Sequence, residues 1–203
     1  MTPPASRLGA WQPLSPDELS EVMAVVDARW WLAGGWAIDL FLGRRTREHD
    51  DIDVQILRPD HVAVRAALSD WDAHAADPPG TLRPWPVGET LAPEVHDVWV
   101  RRRAGDPWRF QLMIADVDGE EWVYRRDQRI RRPLEELSGP ASTADRAVLA
   151  PEVQLLYKSK GLRAKDESDF AATVAALGAD RRAWLAEALA VVSPAHPWLD
   201  RLR

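Results

Sequence analysis

At 203 residues the chain suits one large domain, or a medium one with a small appendage. An apolar content of 46% is enough for a real core and excludes global disorder. The formal net charge of -6 disfavours non-specific binding of nucleic acid, which needs cationic contacts to phosphate, and suits a cationic substrate. With no Cys, disulfides, thiol catalysis and Cys-ligated zinc are excluded. No apolar run reaches the roughly 18 residues a membrane span needs. The opening "MTPPASRLGAWQPL" has no basic start followed by an apolar block, so it does not read as a secretion signal. The expectation is a cytoplasmic protein with no membrane or nucleic-acid partner.

In chain order, the first element announces itself at Ser15. Ser15 caps, Pro16 suits a first turn and Glu18 completes a capping box, while Leu19, Val22, Met23 and Val26 recur at helical spacing. "WWLA" (30–33) reads as a buried strand. Gly34 and Gly35 turn the chain into a short helix, "WAIDLFL", closed by Gly43. "DIDVQIL" (51–57) alternates and reads as a strand, and a helix runs from Pro59-Asp60 to about Ser69. The Pro- and Gly-rich stretch 77–94 is a loop or an irregular edge. "HDVWVRR" (96–102) and "WRFQLMIAD" (108–116) flank "AGDP" as a hairpin, and "EWVYRR" (121–126) follows as a further strand. Beyond the joint "GPASTAD" (139–145), helices are expected at about 151–160, 166–177 and 180–192. This order gives an α+β fold: a mixed sheet flanked by helices over 1–140, then a C-terminal helical subdomain over 141–203.

The chemistry is concentrated between residues 34 and 53. On a regular strand Asp51 and Asp53 share one face, with Cα atoms about 6–7 Å apart, while Ile52, Val54 and Ile56 share the other. Two carboxylates so spaced can reach one hard cation, and Mg²⁺ is commonly held by one or two carboxylates plus substrate phosphates. Taken alone, the pattern is better described as a half-buried strand with a solvated polar face. The Gly34-Gly35 pair, between a strand and a helix N-terminus, lets backbone amides approach an anion, although an ordinary tight turn would look the same. Together the two features fit phosphoryl-type transfer, which needs mostly positioning and charge neutralisation.

The segment "GGWAIDLFLGRRTREHDDIDV" resembles the signature of the nucleotidyltransferase fold, and within it the aminoglycoside 2''-adenylyltransferase-like group. Weaker similarity extends to "HDVWVRR", "WVYRRDQRIRRPL" and "YKSKGLRAKDESDF". The resemblance implies transfer of AMP from Mg·ATP to a hydroxyl of a small molecule, with an aminoglycoside-like antibiotic as candidate acceptor. It implies Gly34 and Gly35 as the triphosphate loop and Asp51 and Asp53 as metal ligands. Arg47 is the preferred phosphate contact among Arg44, Thr46, Arg47 and His49. Lys158 and Lys165 are expected to reach nucleotide phosphates, whereas Asp166 reads as a helix N-cap and Asp39 as a helix-surface residue or local ion-pair partner.

The family pattern includes a third carboxylate on a later strand, and the aligned residue here is Gln111. An amide cannot act as a base, so Asp97 is the preferred substitute, ahead of Asp116. Among the eleven Trp, Trp85 and Trp108 stand near expected loops, where they would either stack on adenine or join the core. Two other readings remain open: a catalytically weak or inactive protein that binds nucleotide or a partner, and a toxin-like enzyme modifying a macromolecule. No sequence feature specifies an oligomeric state.

Overall fold

A computed structural model describes residues 8–203. The expectation about a secretion signal rests on residues 1–14 and so lies partly outside the described residues. The elements are α1 (Pro16–Met23), β1 (Trp30–Ala33), α2 (Gly34–Leu42), β2 (Asp53–Leu57), α3 (His61–Ala67), β3 (Asp72–Ala75), β4 (Arg83–Pro84), β5 (Asp97–Arg101), β6 (Phe110–Asp118), β7 (Glu121–Val123), β8 (Arg131–Pro133), α4 (Pro151–Lys158), α5 (Ala164–Thr173), α6 (Ala179–Val192) and α7 (Leu199–Leu202). The described residues form two compact units: one comprises residues 8–32 together with His49–Ala115, the other Ala33–Glu48 together with Asp116–Arg203. Contacts in space define these units, so they are drawn differently from the expected division along the chain into 1–140 and 141–203.

The first unit is built on a sheet of order β1-β2-β6-β5-β3-β4. β2 and β6 run parallel, and the β6-β5, β5-β3 and β3-β4 pairs are antiparallel. Side chains alternate faces along every strand, so register decides which residues meet. One face carries Val54, Ile56, Leu112, Ile114, Val98, Val100, Ala73 and Ala75, all buried. Leu19 and Met23 of α1 and Val64 of α3 complete this core. Each fully buried aliphatic side chain contributes roughly 1.5–3 kcal/mol. The other face carries Asp53, Gln111, Asp97, Trp99, Arg101, His74 and Asp72, which are half-buried.

The capping box forms as expected. The Ser15 amide donates to the Glu18 carboxylate at 2.7 Å, and the Glu18 amide donates to Ser15 Oγ at 3.2 Å. The Ser15 amide, then its hydroxyl, holds the Glu18 carboxyl below its ordinary range. Ser15→Ala is expected to destabilise the protein by about 1 kcal/mol, read as a lower urea midpoint with unchanged slope. The expected hairpin is also present, with Asp97 opposite Met113. β3 was not anticipated: "DAHA" is short and half polar, and it is held by its neighbour, with Asp72 accepting from Arg101 at 2.7 Å and meeting His74 at 3.0 Å. Trp85 and Trp108 are 1% and 2% exposed and belong to the core, so neither is placed to stack on adenine. Their indole N–H groups donate to the Glu89 and Leu8 carbonyls at 2.8 and 2.7 Å, which lets a polar ring atom be buried without penalty.

The second unit joins α2 to the small β6-β7-β8 ladder and the C-terminal helices. Asp116 of β6 stands opposite Val123 of β7, and β8 pairs β7. α4 packs against α2, α5 and α6, burying Val153, Leu155, Leu156, Phe170, Leu185 and Leu189. Phe170 stacks on Trp198 with ring centroids 4.1 Å apart. Two readings of single residues change here. Asp39 is buried, not a surface residue: its carboxylate accepts from both the amide and the hydroxyl of Thr46, tying down the loop after Gly43. Asp166 is not the N-cap of α5. That position is Arg163, and Asp166 lies in the first turn, where its carboxylate takes the Arg163 guanidinium at 2.7 and 3.2 Å. Among the described residues, no helix is long and apolar enough to cross a membrane.

Candidate functional site

β2 begins at Asp53, not at Asp51 as the alternation suggested. Ile52 nevertheless stays in line, because its carbonyl accepts from the Gln111 amide at 2.9 Å. Asp51 therefore stands just outside the strand and Asp53 is its first residue. Both are half-buried, and Asp51 enters no ion pair among the described residues. Beside Asp53, directly across the parallel pair, is Gln111. The next row of the same face holds Gln55 on β2, Met113 on β6 and Asp97 on β5. Gln111 Nε2 donates to Asp97 Oδ1 at 2.9 Å. The first unit thus gathers Asp53, Gln111 and Asp97 on one half-buried polar face of its sheet.

That face has two further features the sequence did not suggest. Gln55 is 1% exposed, and neither its amide oxygen nor its nitrogen has a hydrogen-bond partner among the described residues. Its only sequence signal was its place in the Asp-x-Asp-x-Gln alternation. Farther across the sheet, Trp99 packs edge-on against Trp11 and Trp108 at 5.0 and 5.6 Å, and Arg101 lies 4.3 Å from the Trp108 ring. Burial pushes the neighbouring Asp72 carboxyl up, but hydrogen bonds and charge from Arg101 and His74 prevail and hold it below its ordinary range.

Chemically, Asp51 and Asp53 offer a hard-oxygen donor set suited to a divalent cation. Among the described residues, no group of three or more His, Cys, Asp or Glu side chains is placed to hold a metal. Two carboxylates fit Mg²⁺ in the manner in which substrate phosphates and water complete its octahedron, not as a closed protein cage.

The remaining expected residues, Gly34, Gly35, Arg47, Lys158 and Lys165, belong to the second unit. Gly34 has φ +69°, in the left-handed region where side chains are disfavoured, which explains its identity. Its amide donates to Gln154 Oε1 of α4 at 2.7 Å, so this N–H is committed within the fold. Gly35, in the first turn of α2, has no intrahelical acceptor for its amide and stands at the positive end of the helix dipole.

Arg47 and Lys158 converge on α5. Arg47 reaches both oxygens of Asp169, at 2.9 and 3.1 Å, and Lys158 Nζ lies 2.7 Å from Asp169 and 3.8 Å from Asp166. Both aspartates are 1% exposed. Burial pushes the Asp169 carboxyl up, but the Arg47 hydrogen bond and the Lys158 charge outweigh it and hold the group below its ordinary range. Lys165, half-buried in the first turn of α5, enters no ion pair among the described residues. Of the other candidates, Arg44 is exposed, Thr46 serves Asp39 and His49 is buried. Asp116 alternates to the opposite face of β6 from Gln111.

The comparisons with known proteins bear on this arrangement. The profile of the aminoglycoside-2''-adenylyltransferase family matches residues 18–85, which include both Asp51 and Asp53. Curated 2''-aminoglycoside nucleotidyltransferases of Klebsiella pneumoniae and Escherichia coli are each 51% identical to this chain over 39 residues, 18% of this chain. That match spans 22% of the length of those relatives. Among solved structures, ANT(2'')-Ia in complex with adenylyl-2''-tobramycin superposes with a TM-score of 0.52 at 19% identity, covering 87% of this chain and 98% of that one. The lincosamide adenylyltransferase LnuA with bound lincomycin gives 0.53 at 18% identity, covering 79% of this chain and 97% of its own. The short, strong sequence match and the long, weak structural one agree on the same scaffold. The chain is a nucleotidyltransferase-fold protein whose residues 18–85 carry the sequence pattern of the aminoglycoside-2''-adenylyltransferases.

Proposed function

We propose that this chain is a Mg²⁺-dependent adenylyltransferase that moves AMP from ATP to a hydroxyl of a small molecule, with an aminoglycoside-like antibiotic as the favoured acceptor, in the cytoplasm. The observation that carries the reading is the polar face of the first unit, where Asp53, inside the family-matched segment, enters β2 beside Gln111 and Asp97 faces the same way. The net charge of -6 suits a polycationic acceptor.

In the reaction, the acceptor hydroxyl oxygen forms a bond to the α-phosphorus. The bond from that phosphorus to the oxygen bridging to the β-phosphate breaks, and pyrophosphate leaves with the electron pair. Asp97 takes the hydroxyl proton as general base. Asp51 and Asp53 hold a divalent cation that, when bound, neutralises phosphate charge and polarises the phosphoryl group. The Gly34-Gly35 turn, through the Gly35 amide, and Lys165 bind donor phosphate. Arg47 and Lys158 act by securing Asp169 and Asp166, and so the start of α5 that presents Lys165. The functional division we adopt is a nucleotidyltransferase domain over 1–140 with a helical subdomain over 141–203.

Pyrophosphate release from ATP and Mg²⁺ across a panel of aminoglycosides and lincosamides tests the reading. Release with at least one acceptor is expected. Gln111, an amide directly opposite Asp53, favours a second reading in which nucleotide is bound without turnover. Tight Mg·ATP binding with no release for any small acceptor would favour it, and transfer to a protein or tRNA would favour a toxin-like enzyme.

A further inference from the structure

We infer that Gln111 is a positioning residue: it holds Asp97 as the proton acceptor, so the basic group of the site stands on β5, one strand beyond β6. This rests on the adenylyltransferase reading above. The sequence leaves the position opposite Asp53 without a base, since an amide has no proton affinity at neutral pH. The register shows what the amide does instead. Gln111 stands directly across from Asp53, and its Nε2 donates to Asp97 at 2.9 Å. An ionised carboxylate only accepts hydrogen bonds, so the nitrogen of the amide must face Asp97 and the oxygen must turn away.

Two consequences follow from the geometry. First, neighbouring strands lie about 4.8 Å apart, so a carboxylate at 111 would stand beside Asp53 and add a like charge next to the cation ligands. A neutral amide leaves the cation to Asp51 and Asp53. Second, Asp97 is two strands and one row from Asp53, an offset of roughly 9–10 Å across the sheet and 6–7 Å along it between Cα atoms. A base at that distance is separated from the cation ligands by enough space for a hydroxyl-bearing group. Gln111 stands on β6, the strand between the two. On the β5 side its direct neighbour is Trp99, two residues from Asp97, whose ring is packed against Trp11 and Trp108. The donated N–H fixes Oδ1 of Asp97 and with it the orientation of the carboxylate.

The test is a double-mutant cycle on the intact chain, with pyrophosphate release as the readout. Asp97→Asn is expected to lower kcat by about 10²–10⁴-fold. Gln111→Met, close in shape but with no donor, is expected to lower kcat by about 10–100-fold while KM for ATP stays within about twofold. The double variant should be no slower than Asp97→Asn alone, because Gln111 acts only through Asp97. A readout independent of turnover is the Gln111 side-chain amide signal in ¹⁵N NMR, which should shift on Asp97→Asn in the ligand-free protein. Wild-type kcat in Gln111→Met, or losses that multiply in the double variant, would overturn the inference. Full turnover in Asp97→Asn alongside its loss in Asp53→Asn would remove Asp97 as base while sparing the adenylyltransferase reading. Absence of turnover in the wild type with every acceptor would remove that reading itself, and the inference with it.

Discussion

Asp51→Asn and Asp53→Asn are each expected to lower turnover by about 10³-fold or more, because Lewis-acid stabilisation is worth several kcal/mol and each 1.36 kcal/mol is a factor of ten. Asn keeps the shape of the side chain and loses its charge, so the change isolates cation binding from packing. The structure also predicts that stability will not follow activity. Asp51 stands just outside β2, half-buried and in no ion pair among the described residues, next to the exposed Asp50 and two residues from Asp53. Removing one of these like charges relieves repulsion, so the urea midpoint of Asp51→Asn should be unchanged or slightly raised. Initial rates of pyrophosphate release across a Mg²⁺ titration give the first quantity, and chemical denaturation gives the second. Wild-type rates in either variant at low Mg²⁺ would sink the assignment of these residues to the cation.

Asp169→Asn is expected to cost about 3–5 kcal/mol of stability, the usual penalty for removing one member of a buried ion pair. The carboxylate serves two cations at once: both guanidinium contacts of Arg47 and the 2.7 Å contact of the nearly buried Lys158. Asn offers a single acceptor oxygen and would turn an N–H₂ toward one of the cations. Lys158 would then keep only Asp166, 3.8 Å away. For a chain of this length the loss corresponds to a Tm lower by roughly 10 °C. Lys158→Met combined with Asp169→Asn should cost less than the sum of the two single changes, because both act on the same ion pair. Acid unfolding reports the same network. The folded-state pKa of Asp169 is held below its ordinary value of 3.8. Its contribution is therefore full above the unfolded value and is lost as the pH falls through the folded one. The wild type should lose stability on acidification below about pH 4 more steeply than Asp169→Asn.

These two sites show different degrees of legibility. The helix start at Ser15, the strand Asp53–Leu57 (read as 51–57) and the hairpin of β5 and β6 could be read directly, because each is written in neighbouring residues: a cap, an alternation, a turn. The same locality let the segment 34–53 identify its scaffold. β3 and β8 escaped notice because "DAHA" and "RRP" carry no apolar alternation and are strands only by virtue of the strands beside them. Asp166, and the surface alternative for Asp39, were misplaced for a related reason. A carboxylate on a helix reads as surface or cap until the loop or guanidinium that meets it is seen. The ion pair of Arg47 with Asp169 could not be read from the sequence, since the two lie more than a hundred residues apart in the chain.

The amino-acid sequence alone determined which side chains share a face, because strand alternation and helical spacing are properties of the backbone at each residue. Only the tertiary structure decided which residues stand opposite one another. Asp53 is beside Gln111, and Gln111 reaches Asp97, because β2, β6 and β5 pair in one register, and that register is selected by the fit of apolar rows on the far side of the sheet.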